Sequence, residues 1–231
     1  MNIGIALLDF LFPRFCLGCN KEKTYLCPDC FSKIEIFPAP FCPYCNKRTY
    51  NGEICSNCKK TLSGFAAAVP YSNKLIEKLI DAFKYRFVKE LANPLAFLIW
   101  KFLKENQEIS FVKNPLDFII IPIPLHKRRQ RERGFNQAEE LGKVLSPLLK
   151  ITMKNDVLFR QRYTKPQARL KTGREENIKN AFIVNTNESI IGKKIILIDD
   201  VATSLSTLEE AAKVLKNGGA KEIWGLTVAK G

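Results

Sequence analysis

Residues Lys193 to Gly219 read KKIILIDDVATSLSTLEEAAKVLKNGG and decide the fold. Ile195, Ile196, Leu197 and Ile198 form a short continuous apolar run. Such a run suits a strand buried on both faces, as in a parallel sheet covered by helices. Two acids follow, Asp199 and Asp200, then the loop Val201-Ala202-Thr203-Ser204-Leu205-Ser206-Thr207. A helix should come next, with apolar positions at Leu208, Ala211, Ala212 and Leu215. Thr207 with Glu210, or Ser206 with Glu209, fits a capping box, and Gly218 and Gly219 supply a left-handed stop.

Strand, loop and helix in that order favour phosphate. A helix N-terminus carries unpaired N–H groups and a partial positive charge, and the loop hydroxyls add donors. The two carboxylates would repel phosphate, so they suit sugar hydroxyls or a hydrated Mg²⁺, a hard ion that prefers oxygen ligands. The alternative is an ordinary capped βα turn with solvated acids. IILIDDVATSLSTL resembles the phosphoribosyl pyrophosphate motif of type I phosphoribosyltransferases, which Asp199, Asp200, Val201, Thr203, Ser204 and Thr207 match. The resemblance implies that Asp199 and Asp200 are the catalytic acids on the ribose hydroxyls. It also implies that residues from Val201 and Ala202 through Ser206 and Thr207 wrap the 5′-phosphate. The family's loop glycine is Leu205 here. Glycine would permit positive φ and close approach to phosphate; leucine can still donate its N–H from a right-handed backbone, with a poorer fit.

A second buried strand, around Phe118 to Pro124, leads into LHKRRQRERGFNQ, which places five cations between Lys127 and Arg133. Arginine forks match phosphate oxygens in bidentate fashion. His126, Lys127, Arg128 and Arg129 are expected to line the pyrophosphate side, with His126 as a loop residue. Arg128, Arg129, Arg131 and Arg133 are also candidates for nucleic-acid phosphates. A helix should run from about Asn136 to Leu149. PLHKRRQRERGFNQAEEL resembles the signature of the ComF family, phosphoribosyltransferase-like proteins associated with natural competence and DNA uptake. A third feature of the resemblance is TKPQARL at Thr164–Leu170, followed by Arg174. It implies a flexible loop in which Lys165, Arg169 and Arg174 close over pyrophosphate; a basic hairpin without catalytic use is the alternative.

All eight cysteines lie between Cys16 and Cys58, as four Cys-x₂-Cys pairs: Cys16 and Cys19, Cys27 and Cys30, Cys42 and Cys45, Cys55 and Cys58. Two such knuckles complete a tetrahedral Cys₄ site, so two structural zinc ions are expected. Sequential pairing is the simplest; crossed pairing, a disulfide framework and an iron–sulfur cluster are alternatives. The segment has no room for its own core, so metal should hold it. The ComF resemblance implies the same N-terminal zinc element.

Before the cysteines, residues 1–15 are apolar, interrupted by Asp9, and lack both a charged leading segment and a small-residue cleavage site. A packed helix ended by Pro13 is expected, with no transmembrane segment. Between the modules, Leu75, Ile76, Leu79, Ile80, Phe83 and Phe87 recur at helical spacing, and Lys84-Tyr85-Arg86 reads as a solvated helix face, with a basic surface near a ligand as the alternative.

The expected architecture is therefore α/β. Residues 1–62 form an N-terminal helix and double zinc-ribbon module, and residues 63–231 form a mainly parallel sheet of the type I phosphoribosyltransferase kind, with ligand at the carboxyl ends of its strands. Lys plus Arg number 37 against 23 Asp plus Glu, an excess of 14 that suits phosphorylated ligands, nucleic acid or an acidic surface. Two functions remain open. One is an enzyme using phosphoribosyl pyrophosphate with Mg²⁺ in the setting of DNA uptake, its acceptor unspecified. The other is a non-catalytic single-stranded DNA-binding accessory protein on a retained phosphoribosyltransferase core. Competence proteins are expected partners. The expected location is the cytoplasm, with peripheral contact at the inner membrane face.

Overall fold

A computed structural model describes residues 13–164, 173–185 and 188–231. The expected N-terminal helix up to Pro13, and Lys165 and Arg169 of the expected flexible loop, lie outside the described residues, as does the side chain of Arg174.

The Cys-rich segment is built from knuckles and short turns, with one five-residue helix, α1 (Pro28–Ser32). Next come β1 (Gly64–Pro70), α2 (Lys74–Tyr85), α3 (Ala92–Glu105) and a single turn, α4 (Ser110–Lys113). β2 (Phe118–Pro122), α5 (Lys127–Arg133), α6 (Gln137–Leu149) and β3 (Thr152–Met153) follow. A small antiparallel pair, β4 (Leu158–Arg160) and β5 (Phe182–Val184), flanks α7 (Arg174–Ile178). The chain closes with β6 (Lys194–Ala202), α8 (Ser206–Asn217) and β7 (Glu222–Lys230).

The main sheet has the order β1-β7-β6-β2-β3, and every pair in it is parallel. Ile195 to Ile198 are 0% exposed at its centre, as the apolar run requires. Ile120, Ile196 and Trp224 stand in register across β2, β6 and β7 and point to one face. Gly142 of α6 lies against Ile120, so α6 covers that face; Gly225 lies against Leu208, so α8 covers the other. Gly64 is glycine because a Cβ there would sit 2.4 Å from the Trp224 ring. The open sheet with helices on both faces is as expected.

Asparagines start α2 and α6. Asn73 accepts from the Leu75 and Ile76 amides to cap α2. Asn136 caps α6 through the Ala138 amide, and its Nδ2 donates to the Ile123 carbonyl at 3.0 Å, which ties α6 to the end of β2.

The Cys-rich segment covers the β1 edge, which would otherwise present unpaired backbone groups. The Phe37 amide donates to the Ala68 carbonyl at 2.8 Å, and the Phe65 amide donates to Gly52 at 2.9 Å. No described helix is long and apolar enough to cross a membrane.

Three local expectations are corrected. α8 begins at Ser206 with Leu205 as its N-cap and no side-chain cap, so neither capping box forms. Glu209 is drawn instead to donors on the Cys-rich segment, since its carboxylate accepts from Tyr44, Thr61 and Leu62. Leu205 is left-handed, φ +61°, not right-handed. Its side chain is only 4% exposed, and burying a leucine contributes about 1.5–3 kcal/mol, enough to offset roughly 1–2 kcal/mol of left-handed strain. At the far end Gly218 keeps φ −77° and Gly219 alone supplies the left-handed stop, φ +94°.

Candidate functional site

The carboxyl ends of β6 and β2 open into a cleft lined by six parts of the chain, Ile123 and Leu125 after β2 among them. Lys84 and Tyr85 come from α2, Arg129 and Arg133 from α5, and Asn136 and Gln137 from the start of α6. Arg160 comes from β4, and the run from Asp199 to Leu208 forms the floor. The cleft thus gathers the acid pair, the whole hydroxyl loop and four cations.

The acids lie among charges, Asp200 buried and Asp199 half-buried. Asp200 is 5% exposed and forms an ion pair with Lys84, Oδ1 to Nζ 2.9 Å. Burial works against the Lys84 ammonium, but Asp200 and then Asp199 outweigh it and hold Lys84 above the usual lysine range. Asp199 Oδ1 accepts from the Asp200 amide at 2.9 Å. Burial and the neighbouring Asp200 charge push the Asp199 carboxyl up to about 7, against the pull of Lys84.

The cations are crowded. Arg129 is 9% exposed and donates to the Thr164 carbonyl at 2.5 Å. Burial, then the charge of Arg133, lowers its affinity for its own proton. Arg133 donates to Gln137 Oε1 at 3.0 Å and lies over the Tyr85 ring. Arg160 bonds Thr164 Oγ1, while its buried Nε has no partner among the described residues. Burial and Arg129 push Arg160 down to about 10. An anion in the cleft would relieve all three guanidiniums. In the loop, the Ser204 and Ser206 hydroxyls lie 2.9 Å apart, and Lys230 Nζ donates to the Thr203 carbonyl at 3.1 Å.

Two expectations about the cations are corrected. His126, Lys127 and Arg128 do not line this cleft; of the expected pyrophosphate set only Arg129 does. The reason is that Lys127–Arg133 is a helix, not a loop. Positions 129 and 133, four apart, share its inner face, while 127, 128 and 131 point elsewhere. His126 is the N-cap of α5, its Nδ1 accepting from the Arg128 amide at 3.2 Å. Arg128 pairs with Glu132 at 3.0 Å and lies over the Tyr163 ring. Lys84, read as part of a solvated face, is the second correction. It sits four residues after Ile80 on the buried stripe of α2, a charge at an apolar position, and that spacing was the available signal. Arg160, Asn136 and Gln137 carry no such signal as site residues, because their place depends on how distant elements converge.

The eight cysteines form two Cys₄ groups, Cys16, Cys19, Cys27 and Cys30, then Cys42, Cys45, Cys55 and Cys58, each with its sulfurs within 4.8 Å of one another. Pairing is therefore sequential. The Cys19–Cys27 and Cys45–Cys55 sulfurs are 3.6 Å apart. A tetrahedron with Zn–S bonds of about 2.3 Å has edges of about 3.8 Å, so both groups fit zinc. The Cys27 amide donates to Cys16 Sγ and the Cys30 amide to Cys27 Sγ, both at 3.4 Å, as bonds that favour thiolate do.

Comparison with known proteins follows this division. Residues 7–59 match the family described as double zinc ribbon domain, and residues 134–230 match phosphoribosyl transferase domain. The chain is 33% identical to Competence protein F of Haemophilus influenzae, over 93% of this chain and 96% of that protein. It is 29% identical to Competence protein ComFC of Bacillus subtilis, over 91% and 86% of the two chains. It is 28% identical to DNA utilization protein YhgH of Escherichia coli (strain K12), over 93% and 96%.

Proposed function

Because this chain belongs to the ComF family of competence and DNA-utilization proteins, we propose that its cleft binds phosphoribosyl pyrophosphate with Mg²⁺ in the handling of incoming DNA. The observation that carries this reading is the pairing of an acid couple with three crowded guanidiniums around the start of α8. The 5′-phosphate takes the loop from Thr203 to Thr207, where a helix N-terminus and hydroxyls favour it. Asp199 and Asp200 take the ribose hydroxyls. Arg129, Arg133 and Arg160 take the pyrophosphate, and the unpartnered Arg160 Nε offers it a donor. Mg²⁺ bound together with the ligand would offset the charge of its phosphates. Displacement at the anomeric carbon needs position and charge more than a protein nucleophile, which is what this residue set offers. Residues 1–62 serve as the ribbon module and 63–231 as the ligand domain; Lys165, Arg169 and Arg174 are the covering loop. Thiolate zinc sites and this ligand suit the cytoplasm.

Calorimetry tests the reading. The wild-type chain should bind phosphoribosyl pyrophosphate in the presence of Mg²⁺, and the Asp199→Asn, Asp200→Asn double change should abolish binding. Asp199 binds its proton more tightly in the folded chain than in the unfolded one. That stability is full below pH 3.8 and is lost as pH rises through about 7. The ligand wants the carboxylate, so affinity should rise between pH 6 and 8, and Asp199→Asn should flatten the rise. Equal affinity for wild type and the double variant would put the ligand elsewhere.

A second reading, binding of single-stranded DNA, is favoured by the split of the basic helix. Lys127, Arg128 and Arg131 are exposed on its outer side, next to the partly exposed Tyr163 ring. A basic surface with aromatics can follow a strand without reading its sequence. With four to six phosphate contacts, log affinity should fall against log salt with a slope of roughly −3 to −4. Replacing Lys127, Arg128 and Arg131 with Ala should reduce the slope by about 2 for every sequence alike. Anisotropy with a labelled oligonucleotide at several salt concentrations measures it; no binding at low salt would remove DNA as a direct ligand of the isolated chain.

A further inference from the structure

We propose that the second zinc ribbon holds the phosphate loop in its binding shape, with Tyr44 and Glu209 as the positioning pair that joins them. Glu209 lies in the first turn of α8, two residues beyond the loop, and is 8% exposed. Its amide donates to the carbonyl of Leu205, the left-handed residue of the loop, at 2.9 Å. Its carboxylate turns away from its own helix to the Cys-rich segment. There it accepts from the Tyr44 hydroxyl, from the Thr61 amide at 3.1 Å and from the Leu62 amide at 3.4 Å. Tyr44 stands between Cys42 and Cys45, inside one knuckle of the second Cys₄ group. Thr61 follows the other knuckle, three residues after Cys58. Both halves of one metal site thus present donors to one carboxylate.

The alternative partner for that carboxylate lies in its own helix. Ser206 and Glu209 have the spacing of a capping box, in which an acid reaches back to amides at the helix start. Those are the groups a phosphate would use. While the ribbon is metal-loaded, Tyr44, Thr61 and Leu62 keep Glu209 away. When the second site loses zinc, its donors scatter, Glu209 swings back, and its negative charge occupies the anion site. Zinc in the second site and anion in the loop therefore support each other. Among the described residues the first Cys₄ group has no such link: Gly18 lies by Leu75 at the start of α2, and Arg14 pairs with Glu90 before α3. The anion part of this proposal rests on the phosphate reading of the loop; the coupling of ribbon to loop does not.

Amide hydrogen exchange of residues 203–208 in the full-length, zinc-loaded protein tests the coupling, and calorimetry with inorganic phosphate and with phosphoribosyl pyrophosphate tests its effect. Tyr44→Phe should keep two zinc ions by elemental analysis, speed exchange in 203–208 about ten-fold, the worth of one hydrogen bond to a charge, and weaken both ligands to a similar degree. Emptying the second site by Cys55→Ser with Cys58→Ser should do at least as much, whereas Cys19→Ser with Cys30→Ser should leave 203–208 unchanged. Adding Glu209→Ala to the emptied second site should restore phosphate affinity, a rescue that loss of packing alone would not give. Equal exchange after emptying either site, or unchanged exchange in Tyr44→Phe, would overturn the coupling. A wild-type chain that binds neither ligand while 203–208 still answers to the second site would overturn the phosphate reading and leave the coupling standing.

Discussion

Replacing Asp200 with Asn is expected to lower the stability of the folded chain by about 3–5 kcal/mol, and replacing Lys84 with Met in the same chain should return most of it. The pair is 2.9 Å long, with side-chain exposures of 18% for Lys84 and 6% for Asp200. Taking two charges out of water costs nearly what their attraction returns, so the intact pair adds little net stability. Breaking it is another matter, because a buried ammonium then lacks its partner. Losing both charges together avoids that cost. Lys84→Met alone should also destabilise, since Asp200 and Asp199 would then repel each other without a cation between them. Denaturant unfolding of wild type, both single variants and the double variant forms a cycle, and the buried Trp224 of β7 reports the sheet. Costs that simply add would mean that Lys84 and Asp200 do not depend on each other. The pair also fixes the Asp200 side chain at the cleft.

The two stretches that were legible carry their physics locally. Ile195 to Ile198 are apolar on both faces, so a buried parallel strand followed from four residues, and the acids and hydroxyls after them had one place to go. The cysteine knuckles were legible because spacing within each pair fixes a turn, although sequential pairing needed the three-dimensional arrangement. Lys84 was misread because its partner, Asp200, is on an element far along the chain, and only its place four residues after Ile80 hinted at burial. The cations from Lys127 to Arg133 were counted as a cluster when their angles on a helix mattered more; spacing of four already separated Arg129 and Arg133 from their neighbours. Glu209 defeated the capping rule for a tertiary reason, since the ribbon brings three donors to its carboxylate. Leu205 is a residue whose burial overrides its backbone preference, which no propensity scale contains.

Removing zinc is expected to unfold the Cys-rich segment while the sheet stays folded, and to make the chain self-associate. Among the described residues before β1, regular structure amounts to one five-residue helix and a single 3₁₀ turn. So short a segment cannot bury enough apolar surface to fold alone, and structural zinc supplies on the order of 10–16 kcal/mol in comparable elements. The sheet has its own core, with Ile195 to Ile198 of β6 and the central residues of β7 fully buried between helices on both faces. What the sheet loses with the zinc is the cover on β1. The Phe37–Ala68 and Gly52–Phe65 hydrogen bonds go, and a strand of mostly apolar residues is left with free backbone groups along one side. An apolar, unpaired edge pairs with other chains. Protein purified without chelator should carry two zinc ions per chain. After chelation, far-UV circular dichroism should retain most of its signal, the Trp224 environment should change only as far as Gly52 leaves its ring, and light scattering should grow with concentration. Returning zinc under reducing conditions should reverse the early association. A chelated chain that stays monodisperse would mean that the segment keeps its seat on β1 without metal, and complete loss of the sheet signal would mean that the two parts fold only together.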